Sequence, residues 1–346
     1  MLLSEFIENH IAKSLEAIAD DLRLVLRQTT RRRDTFSAQQ CSVLMQIDVS
    51  NNKNAILSGV PKPRLPSKLR TLIGKRLNHD VPTSPGRTNS PNSPNKTAAT
   101  ISYMSVLEWP SLEIARQITI IEFEMFELIQ PKECLSQSWN KPDKHTKAPN
   151  ISKMISFTNR IVAWVSYEIL SCNNTTKRSK ACSKFIKVAC ELRKLNNFNA
   201  CKAVIAGLKS NPVFRLRRTW VKVPAKQMND MKELETLMEQ AKNFHNMRNA
   251  IKQASGCCLP YIGIFLTDLT FIEDGNKDFI TSGDFELINL FKRMKQASVI
   301  KELVRLREMP YALQQVTELS DLLYNMTILT EDELYDLSLQ AEPREI

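Results

Sequence analysis

The chain has 346 residues, of which 42% are hydrophobic and 25% charged, and its formal net charge is +11. This is the composition of a globular protein, and no stretch approaches the roughly 20 consecutive apolar residues of a membrane-spanning helix. The eight glycines form no G-x-x-x-x-G-K-[ST] or G-x-G-x-x-G motif, and the eight cysteines form no C-x-x-C pair. We therefore expect no phosphate-binding loop, no cofactor, no metal site and no disulfide framework. The first residues also lack the pattern of a secretory signal, which predicts a cytoplasmic protein.

The first segment, residues 1–49, is predicted to contain one amphipathic helix. Hydrophobic residues recur at three- and four-residue spacings from Leu3 to Leu26. This spacing places them on a single helical face.

Residues 50–104 have the composition of a flexible linker, rich in proline, serine, asparagine and lysine. Residues 63–68 read Pro-Arg-Leu-Pro-Ser-Lys, which is the P-x-x-P-x-[KR] form of an SH3 ligand. Three Ser-Pro pairs begin at Ser84, Ser90 and Ser93 and are acceptors for a proline-directed kinase. The alternative interpretation is that the segment is only a linker and that neither motif binds a partner.

Positive charge is concentrated in the first 100 residues, which hold 15 Lys and Arg against 8 Asp and Glu. The densest runs are residues 31–33 and 62–76. Such runs attract anionic lipid or nucleic-acid phosphates, but they also occur in solvated arms that bind nothing. We keep an anionic membrane surface as a candidate partner that would recruit the protein peripherally, and we expect no nucleic acid.

Residues 105–346 are continuously patterned and are predicted to form one domain, all-α or close to it. Ser111 is the expected N-cap of the first helix. Acidic residues such as Glu122, Glu124 and 331–333 are expected at helix termini and on solvated faces. Residues 260–272 are the exception, because their β-branched and aromatic side chains favour a strand. Further helices are predicted at 152–170, 176–196, 198–209, 227–240, 284–307 and 320–324.

Five blocks of this domain occur in a fixed order. They are 115–119 with Phe126 and 129–133; 148–150 with 157–160 and 164–165; 195–199 with 203–208, 212–216 and 219–220; 260–276; and Asn289 with 291–293, 334–339 and 342–344. Together they resemble the catalytic domain of the guanine-nucleotide exchange factors for Ras-family small GTPases. Five ordered blocks are far more specific than any single motif.

The resemblance implies a helical domain from which a helical hairpin projects. The first hairpin helix would run from Tyr261 to about Glu273 and the second from Asp284 to about Arg307, so a helix replaces the strand that propensity favours at 260–272. The hairpin would lie beside the switch regions of a Ras, Rap or Ral type GTPase and displace switch I. GDP would then leave and GTP would load.

The resemblance also implies roles for individual residues. Thr267, Thr270 and Asp274 would be the catalytic residues of the hairpin; the last two stand where son of sevenless has leucine and glutamate. The residues that would touch the GTPase or shape the hairpin are Lys209, Asn243, Phe244, Tyr261, Phe271, Gly275 and Asn276. The residues interpreted as hydrogen-bonding scaffold are Asn150, Asn199, Arg215 and Trp220.

These expectations leave two functions open, while a third, a basic nucleic-acid-binding helical protein, rests only on the N-terminal charge and is not expected. The first is an active exchange factor, and the second is a catalytically weak relative that uses the same surface as a GTPase-binding scaffold, suggested by Thr270 and Asp274. In the family a separate helical module commonly braces the hairpin. The helix predicted at Leu3–Arg27 could be a remnant of that module, a coiled-coil or partner-binding helix, or a membrane-surface helix.

Overall fold

The computed structural model describes residues 63–66, 105–282 and 285–344, all within the unit Val60–Ile346. The N-terminal helix, the Ser-Pro pairs and nearly all of the basic runs predicted above lie outside the described residues. Among the helices that are described, none is long and apolar enough to cross a membrane.

Thirteen α-helices make up most of the described chain, which confirms the all-α prediction. They are α1 (Ser111–Glu127), α2 (Lys144–Lys147), α3 (Pro149–Leu170), α4 (Thr175–Lys194), α5 (Phe198–Leu208), α6 (Asn211–Phe214), α7 (Arg217–Trp220), α8 (Ala225–Leu237), α9 (Ala241–Gln253), α10 (Ile262–Gly275), α11 (Leu290–Leu306), α12 (Thr317–Tyr324) and α13 (Glu331–Ala341). Single 3-10 turns lie at Val106–Glu108, Pro131–Cys134 and Ser138–Asn140. One antiparallel pair, β1 (Phe279–Ser282) and β2 (Phe285–Ile288), connects α10 to α11.

The core lies where α1, α3 and α4 pack around the short apolar helix α5. Trp164 of α3 and Phe185 of α4 meet edge to face, with ring centroids 5.2 Å apart. Gly207 allows α5 to approach α3 closely, because a Cβ atom there would lie 2.8 Å from the carbonyl oxygen of Val162. Burial of each large apolar side chain in this core contributes about 2 kcal/mol.

Several predicted helix boundaries were wrong. Ser111 is the first residue of α1 rather than its cap, and Pro110 precedes it in extended conformation. The helix predicted from Asp284 begins at Leu290, because Phe285–Ile288 pairs with β1 and the Asn289 side chain caps α11 by accepting the Lys292 backbone N–H at 3.2 Å. The sequence pattern also did not predict α2, α6, α7, α9 or α13.

The expectation that Glu122 lies on a solvated face was also wrong, because its side chain is fully buried. The side-chain amides of Asn197 and Asn199 donate to its two carboxylate oxygens at 2.9 and 2.8 Å. Burial nevertheless raises the pKa of Glu122 to about 7. Glu331, by contrast, does lie in the first turn of α13, as expected.

The proline motif packs against the domain. Pro66 is buried, Leu65 contacts the hydrophobic core, and the Arg64 backbone N–H donates to the Glu113 carboxylate at 2.9 Å. The Glu113 carboxylate is itself buried and also accepts a hydrogen bond from Gln117 at 2.9 Å. The segment 63–66 therefore covers a polar group that would otherwise lose a donor.

Candidate functional site

The helices α10 and α11 pack side by side as a hairpin whose outer surface is unusually apolar. Isolated exposed hydrophobic residues are ordinary, but a concentration of them on one element is typical of an interaction surface. Here they lie on α10, on α11 and on both faces of the β1–β2 ribbon between them. We call this group the apolar hairpin surface. Its exposed members are Phe271, Phe279, Ile280, Phe285, Leu287, Ile288, Leu290, Phe291 and Met294.

A buried lysine holds the two hairpin helices together. Lys292 of α11 is only 2% exposed, and its ammonium lies 3.2 Å from Glu273 of α10 and 3.0 Å from Asp278. The hydrogen bond from Lys292 holds the pKa of Asp278 below its ordinary value. Gln296 adds a hydrogen bond of 2.8 Å to the second oxygen of Glu273. We call Lys292, Glu273 and Asp278 the Lys292 clamp, and it fixes the spacing of the hairpin at its outer end.

The base of the hairpin is tied to the core through α5. The Phe198 N–H donates to the Leu259 carbonyl at 2.9 Å, just before the hairpin begins. The Ile262 N–H, at the start of α10, lies 3.4 Å from the Asn199 side-chain oxygen, the same residue that binds Glu122. The buried Glu122 network therefore lies directly beneath the first turn of the hairpin.

A second tether joins α9 to the hairpin. The Arg248 guanidinium donates twice to Asp268 of α10, with both distances 2.8 Å. Asn243 donates more weakly to the same carboxylate at 3.4 Å. Lys242, Asn243 and Phe244 have left-handed backbone angles, with φ of 49°, 55° and 57°. Non-glycine residues rarely adopt these angles, so this turn stores strain of the kind that clusters at functional sites.

The predicted catalytic residues share α10 but differ in their contacts. Thr267 is partly buried. The Thr270 hydroxyl donates to the carbonyl of Leu266 one turn earlier, at 2.9 Å. Asp274 is exposed, and its carboxylate accepts a hydrogen bond from the Gln137 side chain at 2.5 Å.

Two predicted contact residues pack on each other at the start of the hairpin. Phe244 is buried, and its ring centroid lies 5.8 Å from that of Tyr261. Burial raises the pKa of the Tyr261 hydroxyl above its ordinary value. Gly263 makes room for Tyr261, since a Cβ atom there would lie 2.5 Å from the ring carbon Cζ. Both aromatic rings therefore pack in part against other residues of the domain.

The other predicted contact residues lie at three places. Phe271 is 68% exposed and belongs to the apolar hairpin surface. At the end of α10, Gly275 is exposed and Asn276 donates to the Ile272 carbonyl at 2.9 Å. Lys209 lies at the end of α5, away from α10 in the chain, and forms a 3.1 Å ion pair with Glu235.

The four residues interpreted as scaffold each hydrogen-bond within the fold. Asn150 donates its backbone N–H and its side-chain amide to Glu133, at 2.8 and 2.7 Å. Arg215 donates to the carbonyls of Ser338 and Glu342 at 2.9 and 2.8 Å, which holds α13 against α6. The Trp220 indole donates to the Val213 carbonyl at 3.0 Å, and Asn199 belongs to the Glu122 network.

Sequence reasoning missed several residues of this site. Lys292 has the residue type of a surface position, and the Arg248 and Asp268 pair joins two helices with no spacing signal between them. Gln137 was missed for the same reason.

Within the described residues, no group of three or more His, Cys, Asp or Glu side chains is arranged to hold a metal ion. Burial raises the pKa of the Cys182 and Cys258 thiols to about 12, so neither is a thiolate near neutral pH. The hairpin itself offers exposed apolar side chains on two helices that are tied together.

Known proteins share this domain. The sequence pattern of the RasGEF domain family matches residues 113–294. Ras guanine nucleotide exchange factor Y of Dictyostelium discoideum is 38% identical over 232 residues, which are 67% of this chain and 15% of that protein. Ras guanine nucleotide exchange factor J of the same organism is 36% identical over 283 residues, 81% of this chain and 34% of that protein. Factor A is 35% identical over 252 residues, 70% and 42% of the two chains. The chain thus spans less than half the length of these relatives.

Proposed function

Because the chain belongs to the RasGEF domain family, we propose that it is a guanine-nucleotide exchange factor for a Ras-family small GTPase. The observation that carries this proposal is the apolar hairpin surface, which lies on α10, α11 and the β ribbon that joins them, with the two helices fixed to each other by the Lys292 clamp. Its expected partner is a GTPase of the Ras, Rap or Ral type, and its expected place of action is the cytoplasm.

The proposed mechanism needs no acid, base or metal from this chain. A protein that binds the nucleotide-free GTPase more tightly than the loaded form must weaken nucleotide binding by the same factor, because the two equilibria are coupled. GDP then dissociates and the more abundant GTP takes its place. The catalyst in this scheme is a surface that prefers one GTPase conformation.

The hairpin has the physical properties that such a surface requires. Burying its phenylalanine and aliphatic side chains against the switch regions would yield about 25 cal/mol per Å² of apolar area. Rigidity lets this energy displace switch I rather than deform the hairpin, and three features supply it: the Lys292 clamp, the Asp268 tether to α9, and the Asn199 contact at the base.

The test is the release of a fluorescent GDP analogue from purified Ras, Rap and Ral proteins, with a Rho protein as control. Acceleration on one subgroup is the expected result and would identify the substrate. Replacing Thr267 with Trp or Asp274 with Lys should abolish the acceleration, whereas Glu331→Gln, on the distant helix α13, should not. Unchanged release with the first two variants would refute the proposed hairpin mechanism.

A GTPase-binding scaffold without exchange activity is the second candidate. It is favoured by one observation: the Thr270 hydroxyl and the Asp274 carboxylate both have partners within the chain. A scaffold would retain nucleotide-free GTPase on beads and yet leave the GDP release rate unchanged. Gln137→Ala separates the two functions, because freeing Asp274 should raise exchange only if Asp274 acts on the GTPase.

Further partners of the N-terminal region belong to the same proposal. An SH3 domain needs both prolines of residues 63–66, and Pro66 is buried, so SH3 binding would require release of this segment. Glu113→Ala, which removes the acceptor of the Arg64 N–H, should therefore strengthen SH3 binding. The Ser-Pro pairs and the basic runs are proposed to contact a kinase and an anionic membrane, respectively.

A further inference from the structure

A face of α4, far in sequence from the hairpin, carries a row of lysines. Lys177, Lys180, Lys184 and Lys187 recur at three- and four-residue spacings, so they lie on one side of the helix. We call these four residues the lysine face. The opposite side of α4 is apolar and buried in the core, so the helix is held firmly with its lysines outward.

Most of these charges are not used within the fold. Lys177, Lys180 and Lys187 are exposed, and within the described part of the chain no acceptor or carboxylate pairs with their ammonium groups. Lys184 is half-buried and donates to the Trp109 carbonyl. Further along the helix the pattern changes, because Lys194 pairs with Glu191 at 2.9 Å. The unpaired charge therefore lies in the first four turns of α4.

The placement of these lysines opposes helix stability. The first turn of α4 contains no acidic residue, although the helix dipole favours anions at that end and disfavours cations. Lys177 stands in this first turn, and Asn174 supplies the cap. A cation near a helix N-terminus lowers the stability of the helix. When no contact within the fold compensates for that loss, we expect the residue to bind a partner.

The neighbouring helix α8 extends the positive surface. Lys226 of α8 lines the same groove as Lys187, although Asp230 and Glu233 reduce the charge further along that groove.

We propose that the lysine face is a docking surface for an anionic lipid bilayer. Lysine ammonium groups are point charges that suit a field of lipid phosphates and carboxylates, whereas a nucleic-acid site would also use stacking aromatic residues or bidentate arginines. The lysine face lies on the catalytic domain itself and is separate from the basic runs of the N-terminal region. It does not depend on exchange activity.

The test is sedimentation of the full chain with phosphatidylcholine vesicles, with and without phosphatidylserine. Lys177→Gln/Lys180→Gln/Lys187→Gln should weaken binding to the phosphatidylserine vesicles by about 5-fold per lysine, or on the order of 100-fold together. The matched control replaces three exposed lysines on other helices, Lys153, Lys232 and Lys301, with glutamine and should bind like wild type. Added salt should reduce the difference in vesicle binding between wild type and the lysine-face variant, because salt screens the attraction between the lysines and the lipid head groups.

Two further measurements distinguish a loss of membrane binding from a loss of the fold or of exchange activity. Circular dichroism and thermal melting should show the same fold for both triple variants, and exchange on soluble GTPase without vesicles should not change. Equal vesicle binding by wild type and the lysine-face variant would overturn the proposal. So would a DNA or RNA gel shift lost in that variant while vesicle binding persists, because the surface would then serve nucleic acid.

Discussion

The buried carboxylate of Glu122 should make the stability of the domain fall as the pH rises. In the folded chain burial raises its pKa to about 7, from an ordinary value of 4.5. A group whose pKa is raised by folding contributes stability that is complete below the unfolded pKa. That contribution declines as the pH rises and is lost once the pH passes the folded pKa.

The size of the effect follows from the two pKa values. Each pKa unit corresponds to about 1.4 kcal/mol, so the free energy of unfolding should lose about 3 kcal/mol between pH 4.5 and 7 from this residue alone. Glu122→Gln removes the titration. In this variant the side-chain NH2 group of the new glutamine faces the NH2 group of either Asn197 or Asn199, in both orientations of the glutamine amide. The unsatisfied donors lower the free energy of unfolding by about 1 kcal/mol.

The assay is urea unfolding of wild type and Glu122→Gln across this pH range. The variant should be the less stable protein at low pH and the more stable one above pH 7, because only wild type then buries a charge. Glu331→Gln, which removes an exposed carboxylate on α13, controls for the loss of one negative charge. A stability difference that stays constant with pH would show that Glu122 does not titrate in this range and would refute the reasoning.

Three further outcomes are expected. Lys292→Met should separate the outer ends of α10 and α11, because Glu273 would lose its counter-ion and Asp278 would keep only Arg293, which lies on α11 itself. Exchange should fall at least tenfold while the melting temperature changes by only a few degrees. Gly207→Ala should lower the free energy of unfolding by about 2 kcal/mol, since its Cβ would lie 2.8 Å from the backbone, and a normal melting curve would contradict the close approach. Lys242→Gly should stabilise the chain by about 1 kcal/mol in urea unfolding, because glycine adopts a φ of 49° without strain; a less stable variant would contradict the strain.

Short-range patterns were enough to place most of the fold. Helical periodicity located α3, α4 and α5 to within a few residues, because each has one continuous apolar face. The ordered sequence blocks turned residues 260–272 from an expected strand into the helix α10, which propensity alone would not have done. The family and the hairpin were therefore legible from the sequence.

The tertiary structure decided which polar residues are buried and paired. Glu122 and Lys292 have the residue types of a solvated surface, and both are buried because partners distant in the chain surround them. Phe285–Ile288 became a strand because Phe279–Ser282 lies opposite, and Pro66 is buried because α1 receives the segment 63–66. Periodicity records only which face of a single element is apolar. Burial, pairing and pKa depend on what packs against that element, so they were settled only when the chain folded.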